Sequence, residues 1–177
     1  MPPPFKVELV DHDPRWSATA QTEASVLHAA LGPTLLTVHH VGSTAIPGLR
    51  AKPILDLLPV VRSLDEIEVG RKDLEQVGYE WWGEFGLHGR RYATRTDAVT
   101  GRRLIQLHCY VAGAPDIERH VAFRDYLRTK PDLVVAYERE KARCRALHPD
   151  NSHAYGACKS AWIDAVEAAA LADCQRT

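Results

Sequence analysis

The chain has 177 residues, the usual size of a domain with its own core, and we take residues 1–177 as one unit. Its formal net charge of −1 argues against a chain-wide surface for nucleic acid or for a membrane, and favours a small-molecule or protein partner. No apolar run approaches the ~20 residues that a membrane-spanning helix needs.

The chain is predicted to begin as alternating helices and strands and to continue as helices from Pro115 onward. The predicted elements are, in chain order, a helix over Pro14–Leu31, strands over Leu35–Val41 and Pro53–Val61, a helix over Leu64–Val77, strands over Tyr79–Trp82, Arg90–Thr96 and Arg103–Val111, and helices over Asp116–Thr129, Pro131–Leu147 and Asn151–Ala172. This order predicts one α/β unit with a helical C-terminal half.

Two helices carry side chains whose location the pattern leaves open. Glu23 lies on the otherwise apolar seam of the first helix, and we expect it at the edge of the packed stripe rather than in a site, because long acids usually reach water. The helix over Pro131–Leu147 has no wide apolar face, so we expect it to lie on the surface.

The cysteines show no spacing that indicates a disulfide framework, and no signal-like leader precedes them. We therefore expect reduced thiols and a cytoplasmic location. A zinc site formed by Cys144, His148, His153 and Cys158 is the alternative, but Pro149 interrupts the helix between these residues and close cysteine pairs are lacking. The sequence does not indicate an oligomeric state.

The stretch from Val38 to Val61 has the pattern of a ligand-binding loop. An apolar strand ends in Gly42-Ser43-Thr44, where a missing Cβ and short hydroxyl side chains allow phosphate oxygens to approach the backbone. The next strand carries Asp56 among apolar neighbours, and a buried carboxylate needs a partner such as a metal ion or a cation. A purely structural turn is the alternative for the hydroxyl side chains, and a buried structural partner is the alternative for Asp56.

Cationic side chains near this loop are candidates for binding anions. Lys52 precedes the Asp56 strand, and it could pair with Asp56, bind phosphate or remain solvated. Arg91 follows a glycine-rich turn and could bind a phosphate or carboxylate, or lie on the surface. Arg124 lies one turn before Arg128 on a helix, and the pair could form either a solvated face or part of the site.

His108 faces opposite to its neighbours on the last predicted strand, since side chains alternate along a strand. It could be a hydrogen-bonded core residue, a general base or a ligand for a transition metal such as Mn²⁺.

Four blocks of sequence resemble the GrpB family in the same order along the chain: HHVGSTAIPGLRAKPILDL, GYEWWGEFGLHGRRY, LHCYVAG and HVAFRDYLR. The resemblance extends from about Val7 to Val166. It implies a nucleotidyltransferase-like α+β fold, in which a mixed sheet is flanked by helices. In that superfamily a Gly-Ser turn follows one strand, and the next strand carries an Asp-x-Asp or Asp-x-Glu pair that binds metal.

The chain departs from this superfamily pattern at one position. Leu58 occupies the place of the second acid, so Asp56 stands alone on its strand. Two-metal phosphoryl transfer needs several oxygen ligands, including a bridging carboxylate. One aspartate supplies too few of these ligands. What the resemblance implies is Asp56 as the candidate metal ligand, with Mg²⁺ or Mn²⁺ as the candidate ion, and Asp56 and His108 as the candidate catalytic residues.

Two functional hypotheses follow from these residues. In the first, the protein binds a nucleotide or another phosphorylated small molecule and catalyses nucleotidyl transfer, with phosphate contacts from Gly42, Ser43, Thr44, Lys52, Arg91 and Arg124. In the second, it is a ligand-binding module that has lost the chemistry, which the missing second acid favours. Neither hypothesis includes a nucleic-acid or membrane partner.

Overall fold

A computed structural model describes residues 3–176 of the chain. The elements, in chain order, are α1 (Arg15–Leu31), β1 (Leu35–Val41), β2 (Leu55–Val61), α2 (Leu64–Val69), α3 (Arg71–Gln76), β3 (Tyr79–Trp81), β4 (Arg91–Thr96), β5 (Arg103–Val111), α4 (Pro115–Arg128), α5 (Pro131–Leu147) and α6 (Ser152–Cys174). Their types and order confirm the predicted α+β class and the helical C-terminal half. Within the described residues no helix is long and apolar enough to cross a membrane.

The five strands form one mixed sheet in the order β1-β2-β5-β4-β3. The central pair, β2 and β5, is parallel, and the other neighbouring pairs are antiparallel. The parallel register places Leu55 opposite Ile105 and Asp56 opposite Gln106. Parallel strands are usually covered on both faces.

Side-chain alternation along β2 separates the two faces of the sheet. Leu55 and Leu57 point into a core that also contains Leu27 of α1. Asp56 points to the opposite face, where α4, α5 and α6 pack around a second apolar cluster that includes Phe123 and Tyr137. The helical half of the chain therefore covers the face of the sheet that carries Asp56.

Glu23 is buried rather than at the edge of its helix, with 4% of its surface exposed. Its carboxylate accepts hydrogen bonds from the Tyr79 hydroxyl at 2.7 Å and from two Arg95 guanidinium nitrogens at 2.9 and 2.7 Å. The edge prediction was wrong because both partners come from strands that are distant in sequence. Glu23 lies on the α1 face and therefore cannot supply the acid that Asp56 lacks on the other face.

The helix predicted over Leu64–Val77 is divided into α2 and α3 at Gly70. A Cβ atom at this position would lie 3.0 Å from Leu31 Cδ2 of α1, so the glycine lets the junction of α2 and α3 pack closely against α1. The second strand begins at Leu55 rather than Pro53.

Cys144 and Cys158 form a disulfide, contrary to the prediction of reduced thiols. The two residues lie on α5 and α6, which pack side by side and bring the Cα atoms within 5.7 Å. The zinc alternative fails for the same reason, since both of its sulfur ligands are bonded to each other. Cys109 and Cys174 are free.

Candidate functional site

A cavity of about 270 Å³ lies between the sheet and the three C-terminal helices. It is bounded by the end of β1, the start of β2, the middle of β5 and side chains of α4, α5 and α6. Its walls include six charged side chains, and they are Lys52, Asp56, Arg119, Lys141, Lys159 and Glu167. The structure thus brings together five of the predicted residues besides Asp56, namely Gly42, Ser43, Thr44, Lys52 and His108.

Gly42 is required at the start of the loop for two independent reasons. Its φ angle is +70°, a left-handed conformation that side chains with a Cβ rarely adopt. A Cβ atom there would also lie 2.5 Å from Asp56 Oδ2, because the neighbouring Val41 pairs with Asp56 across the two strands. The missing side chain therefore allows the Asp56 carboxylate to lie against the turn.

Asp56 and His108 meet on the same face of the central strand pair. Asp56 is opposite Gln106, and His108 follows two residues later on the same side of β5. Asp56 Oδ1 and His108 Nε2 are 3.4 Å apart. Burial tends to raise the pKa of Asp56, but the hydrogen bond and charge of His108, with Lys52 and Lys159, hold this pKa below its ordinary value.

The two hydroxyl side chains of the turn have partners within the protein. Thr44 is buried, and its Oγ1 lies 2.9 Å from His40 Nε2. Burial lowers the pKa of His40 to about 4, so this imidazole is neutral at pH 7. The Ser43 side chain shares a hydrogen bond with Tyr137 of α5. Both contacts orient the turn, and Ser43 lies at the cavity wall.

Three lysines in the cavity wall pack against aromatic rings. Lys159 Nζ lies 4.6 Å from the Tyr155 ring centroid, Lys52 Nζ lies 5.1 Å from that of Phe5, and Lys141 Nζ lies 4.8 Å from that of Tyr137. Burial lowers the pKa values of Lys52 and Lys159 to about 8 and that of Lys141 to about 7, although the Asp56 carboxylate opposes the effect at Lys52 and Lys159.

The other charged pair of the cavity is internally neutralised. Arg119 of α4 donates to both carboxylate oxygens of Glu167 at 2.8 Å and also to Asp116 at 2.9 Å. The net charge of the cavity therefore comes from the three lysines and Asp56. This arrangement has an excess of positive charge, which suits an anionic ligand.

Arg91 lies outside the cavity, although the sequence grouped it with the loop. It is opposite Cys109, whose side chain belongs to the core on the α1 face. Its guanidinium forms ion pairs with Glu68 and, at 3.4 Å, with Glu84. Arg91 thus lies across the sheet from Asp56.

Arg124 also lies outside the cavity wall, but it supports the loop from behind. Its guanidinium donates to the His40 carbonyl at 3.0 Å and to Asp125 at 2.7 Å. Arg128, one turn later, donates twice to the Ala45 carbonyl at 2.9 and 2.7 Å. The two arginines attach α4 to the backbone on either side of the Gly42 turn.

The sequence reading missed the contributions of α5 and α6. Tyr137 and Lys141 are four residues apart on α5, and Tyr155 and Lys159 repeat the same spacing on α6. Four-residue spacing places each aromatic ring and lysine on one helix face. The repeated Tyr-x-x-x-Lys pattern was therefore a readable signal, and it contradicts the expectation that the α5 helix lies wholly on the surface.

The cavity does not supply a shell for Mg²⁺ from protein side chains. Asp56 and His108 are the convergent donors, and Glu167 is already bound by Arg119 at both oxygens. Within residues 3–176, three side chains of types that bind metals lie close together at one place, namely Glu140, Cys144 and Cys158. This cluster lies outside the cavity, and its two cysteines are bonded to each other. Two-ion chemistry needs more carboxylate oxygens than these residues provide.

Comparison with known proteins identifies relatives over nearly the whole chain. The family model described as GrpB protein matches residues 6–169. The UPF0157 protein YqkA of Bacillus subtilis (strain 168) is 37% identical over 165 residues, which is 93% of this chain and 47% of YqkA. The chain therefore spans about half the length of that relative.

Solved structures extend the comparison to the fold. The crystal structure of the conserved protein GrpB from Enterococcus faecalis matches with a TM-score of 0.86 and 35% identity, and the match covers 94% of this chain and 98% of that one. The Cid1 poly(U) polymerase matches with a TM-score of 0.56 and 13% identity, over 87% of this chain and 49% of Cid1. At this identity the second match shows the fold alone. The chain belongs to the GrpB family and has a nucleotidyltransferase-like fold.

Proposed function

We propose that the cavity binds the phosphate groups of a nucleotide or of another phosphorylated small molecule. The observation that carries this proposal is the group of three lysines, Lys52, Lys141 and Lys159, which line one cavity together with Asp56, beside a glycine turn. Ammonium groups packed on aromatic rings are poorly hydrated, so their interaction with a phosphate oxygen is stronger than at an open surface.

Each group has a distinct role in the proposed complex. Lys52 and Lys159 neutralise the phosphate charge. Lys141, whose pKa is about 7, becomes protonated when the anion binds and then adds a third positive charge. The Gly42 turn holds the Asp56 carboxylate at the cavity wall, which Ser43 also lines. Asp56 and His108 lie where a ligand hydroxyl group or a metal-bound phosphate would meet them.

A nucleotide is the first ligand class to test, and the structural neighbour supports this choice. The matched Cid1 structure is described with Mg 3'-dATP bound. That description concerns Cid1, and the shared fold makes the equivalent binding a proposal for the present chain.

Nucleotidyl transfer is the second candidate, favoured by Asp56 at its place beside the turn. Leu58 stands where the second acid would be, fully buried in a cluster with Val41 and Tyr110. An ion of Mg²⁺ or Mn²⁺ would consequently depend on the phosphate oxygens of the ligand for most of its shell. The geometry thus favours ligand binding over transfer.

The binding proposal predicts a large loss of affinity in Lys159→Gln. Titration calorimetry with ATP, GTP, CTP and coenzyme A precursors, each with EDTA, Mg²⁺ or Mn²⁺, should show at least one ligand that binds the wild type. We expect this ligand to bind Lys159→Gln about tenfold more weakly, because a charge-assisted hydrogen bond contributes about 1.5–3 kcal/mol. Lys72→Gln is the matched control, since Lys72 is exposed on α3.

Two results would contradict the proposal: no binding of any ligand to the wild type, or equal binding by Lys159→Gln with an unchanged melting temperature.

The Asp56→Asn variant separates the two candidate functions. In metal-free binding, loss of the carboxylate removes repulsion and affinity should rise or stay constant. In metal-dependent transfer, the variant should lose the affinity gained from Mn²⁺ or Mg²⁺, together with any turnover.

The proposal also predicts that affinity falls between pH 7 and pH 9. The pKa values of Lys52 and Lys159 are about 8, so each ammonium group loses its proton in this interval. The anion binds the protonated form, so the loss of the proton from each lysine should weaken binding by about tenfold at pH 9 relative to pH 7. Lys159→Arg keeps its charge throughout this range and should reduce the slope of log Kd against pH. An unchanged slope in this variant would contradict the assignment to Lys159.

A further inference from the structure

A second and larger cavity lies on the other side of Lys52. Its volume is about 650 Å³, within the range of ordinary small-molecule sites. Three segments form its walls: the N-terminal stretch Pro3–Glu8, the β4–β5 hairpin around Gly101–Leu104, and Arg145 of α5. Lys52 and Ile54 line both cavities, so we call this second cavity the outer groove and the first one the central pocket.

The outer groove is strongly basic in a chain of net charge −1. Its cationic side chains are Lys6, Lys52, Arg102, Arg103 and Arg145, and its single carboxylate is that of Glu8. Glu8 is 3.6 Å from Arg102, and both of these side chains are mostly exposed. An exposed pair of this kind neutralises little of the local field, so the groove retains an excess of positive charge.

An aromatic ring lies between two of these cations. Lys52 Nζ is 5.1 Å from the Phe5 ring centroid, and the Arg103 guanidinium carbon is 6.0 Å from the same centroid. Arg103 also donates to Thr96 Oγ1 at 3.3 Å and hydrogen-bonds the Tyr92 side chain. These contacts hold Arg103 at the wall of the groove, on the side where Lys52 joins it to the central pocket.

From this geometry we propose that the outer groove binds a second phosphorylated small molecule, separate from the ligand of the central pocket. The cations lie within one concave site rather than along an extended stripe, which favours a compact anion over a nucleic-acid strand. The inference deepens the proposed function, because that function places the first ligand on the other side of Lys52. Guanidinium groups at Arg102 and Arg103 have the planar donors that phosphate recognition uses.

The test uses inorganic tripolyphosphate as the probe, in EDTA, with the full chain. Titration calorimetry of the wild type should resolve two binding events. Arg103→Gln should weaken one event by about tenfold and leave the other unchanged, and Lys159→Gln should do the reverse. Arg102→Gln is a second groove variant, and because its side chain is exposed we expect this variant to fold as the wild type does. Arg71→Gln, an exposed arginine on α3, is the matched control.

The outcomes separate this inference from the proposed function. One event that Lys159→Gln abolishes and both groove variants leave intact overturns the groove and keeps the central pocket. One event that the groove variants abolish and Lys159→Gln leaves intact keeps the groove and overturns the central pocket. One event weakened by all three variants means that a single ligand spans both cavities, which overturns a separate second ligand. Binding that appears only with an oligonucleotide also overturns it.

Discussion

Replacement of Gly42 by alanine is expected to lower the free energy of unfolding by about 3 kcal/mol. The backbone of Gly42, with φ of +70° and ψ of −169°, lies in a region essentially limited to glycine and costs a residue with a Cβ about 1–3 kcal/mol. The new Cβ would also lie 2.5 Å from Asp56 Oδ2, and overpacking of this kind costs about 1–3 kcal/mol more. Denaturant unfolding at pH 7 measures the sum.

Gly48→Ala is a matched control within the same loop. Gly48 has a similar φ of +76°, but no heavy atom lies within 4 Å of its Cβ position. Its loss should therefore be about 1–2 kcal/mol, the backbone cost alone. Equal losses in the two variants would show that the Asp56 carboxylate is not packed against Gly42. In the double variant Gly42→Ala/Asp56→Ala, removal of the carboxylate should recover part of the loss.

Replacement of Arg95 by methionine is expected to cost about 3 kcal/mol of unfolding free energy. Glu23 is 4% exposed, and its carboxylate is bound by Arg95 and by the Tyr79 hydroxyl. In the variant the Tyr79 hydroxyl would be the remaining one of these two partners. Removal of one member of a buried ion pair costs about 3–5 kcal/mol, and the lower end applies because the Arg95 side chain is 27% exposed.

Arg71→Met provides the comparison for Arg95→Met. Arg71 pairs with Glu75 on the exposed face of α3, where an ion pair contributes about 0–1 kcal/mol. Thermal or denaturant unfolding of both variants should give clearly different losses. If Arg95→Met lost as little as Arg71→Met, the Glu23 network would not be a buried, mutually dependent set.

The part of the site on the sheet could be predicted from the sequence, because it depends on local patterns. The Gly42 turn, Asp56 and His108 each follow from alternation and small-residue spacing within one strand or turn. Arg91 shows the limit of this reasoning. Its face depends on which residue of β5 it opposes, and a shift of one residue in register would have placed it with His108 instead of Cys109.

The contributions of the helices depend on tertiary packing that the sequence alone does not specify. Glu23 is buried because Tyr79 and Arg95 meet it from distant strands. Lys141 and Lys159 enter the cavity because α5 and α6 turn their tyrosine and lysine faces towards β2. Helical spacing shows that such residues share a face, but it does not show what that face will contact.

The central pocket depends on contacts between residues that are far apart in the sequence, because β2 pairs with β5 in parallel. The β1–β2 and β4–β5 pairs are antiparallel neighbours, whereas Leu55 pairs with Ile105 only when the two halves of the sheet join. Closing such a long loop is entropically costly, so partly folded chains that contain only the separate pairs hold Asp56 and His108 apart. A ligand of the pocket would therefore bind the completed sheet alone, and it would raise the stability of the native state by RT ln(1 + L/Kd), where L is the free ligand concentration.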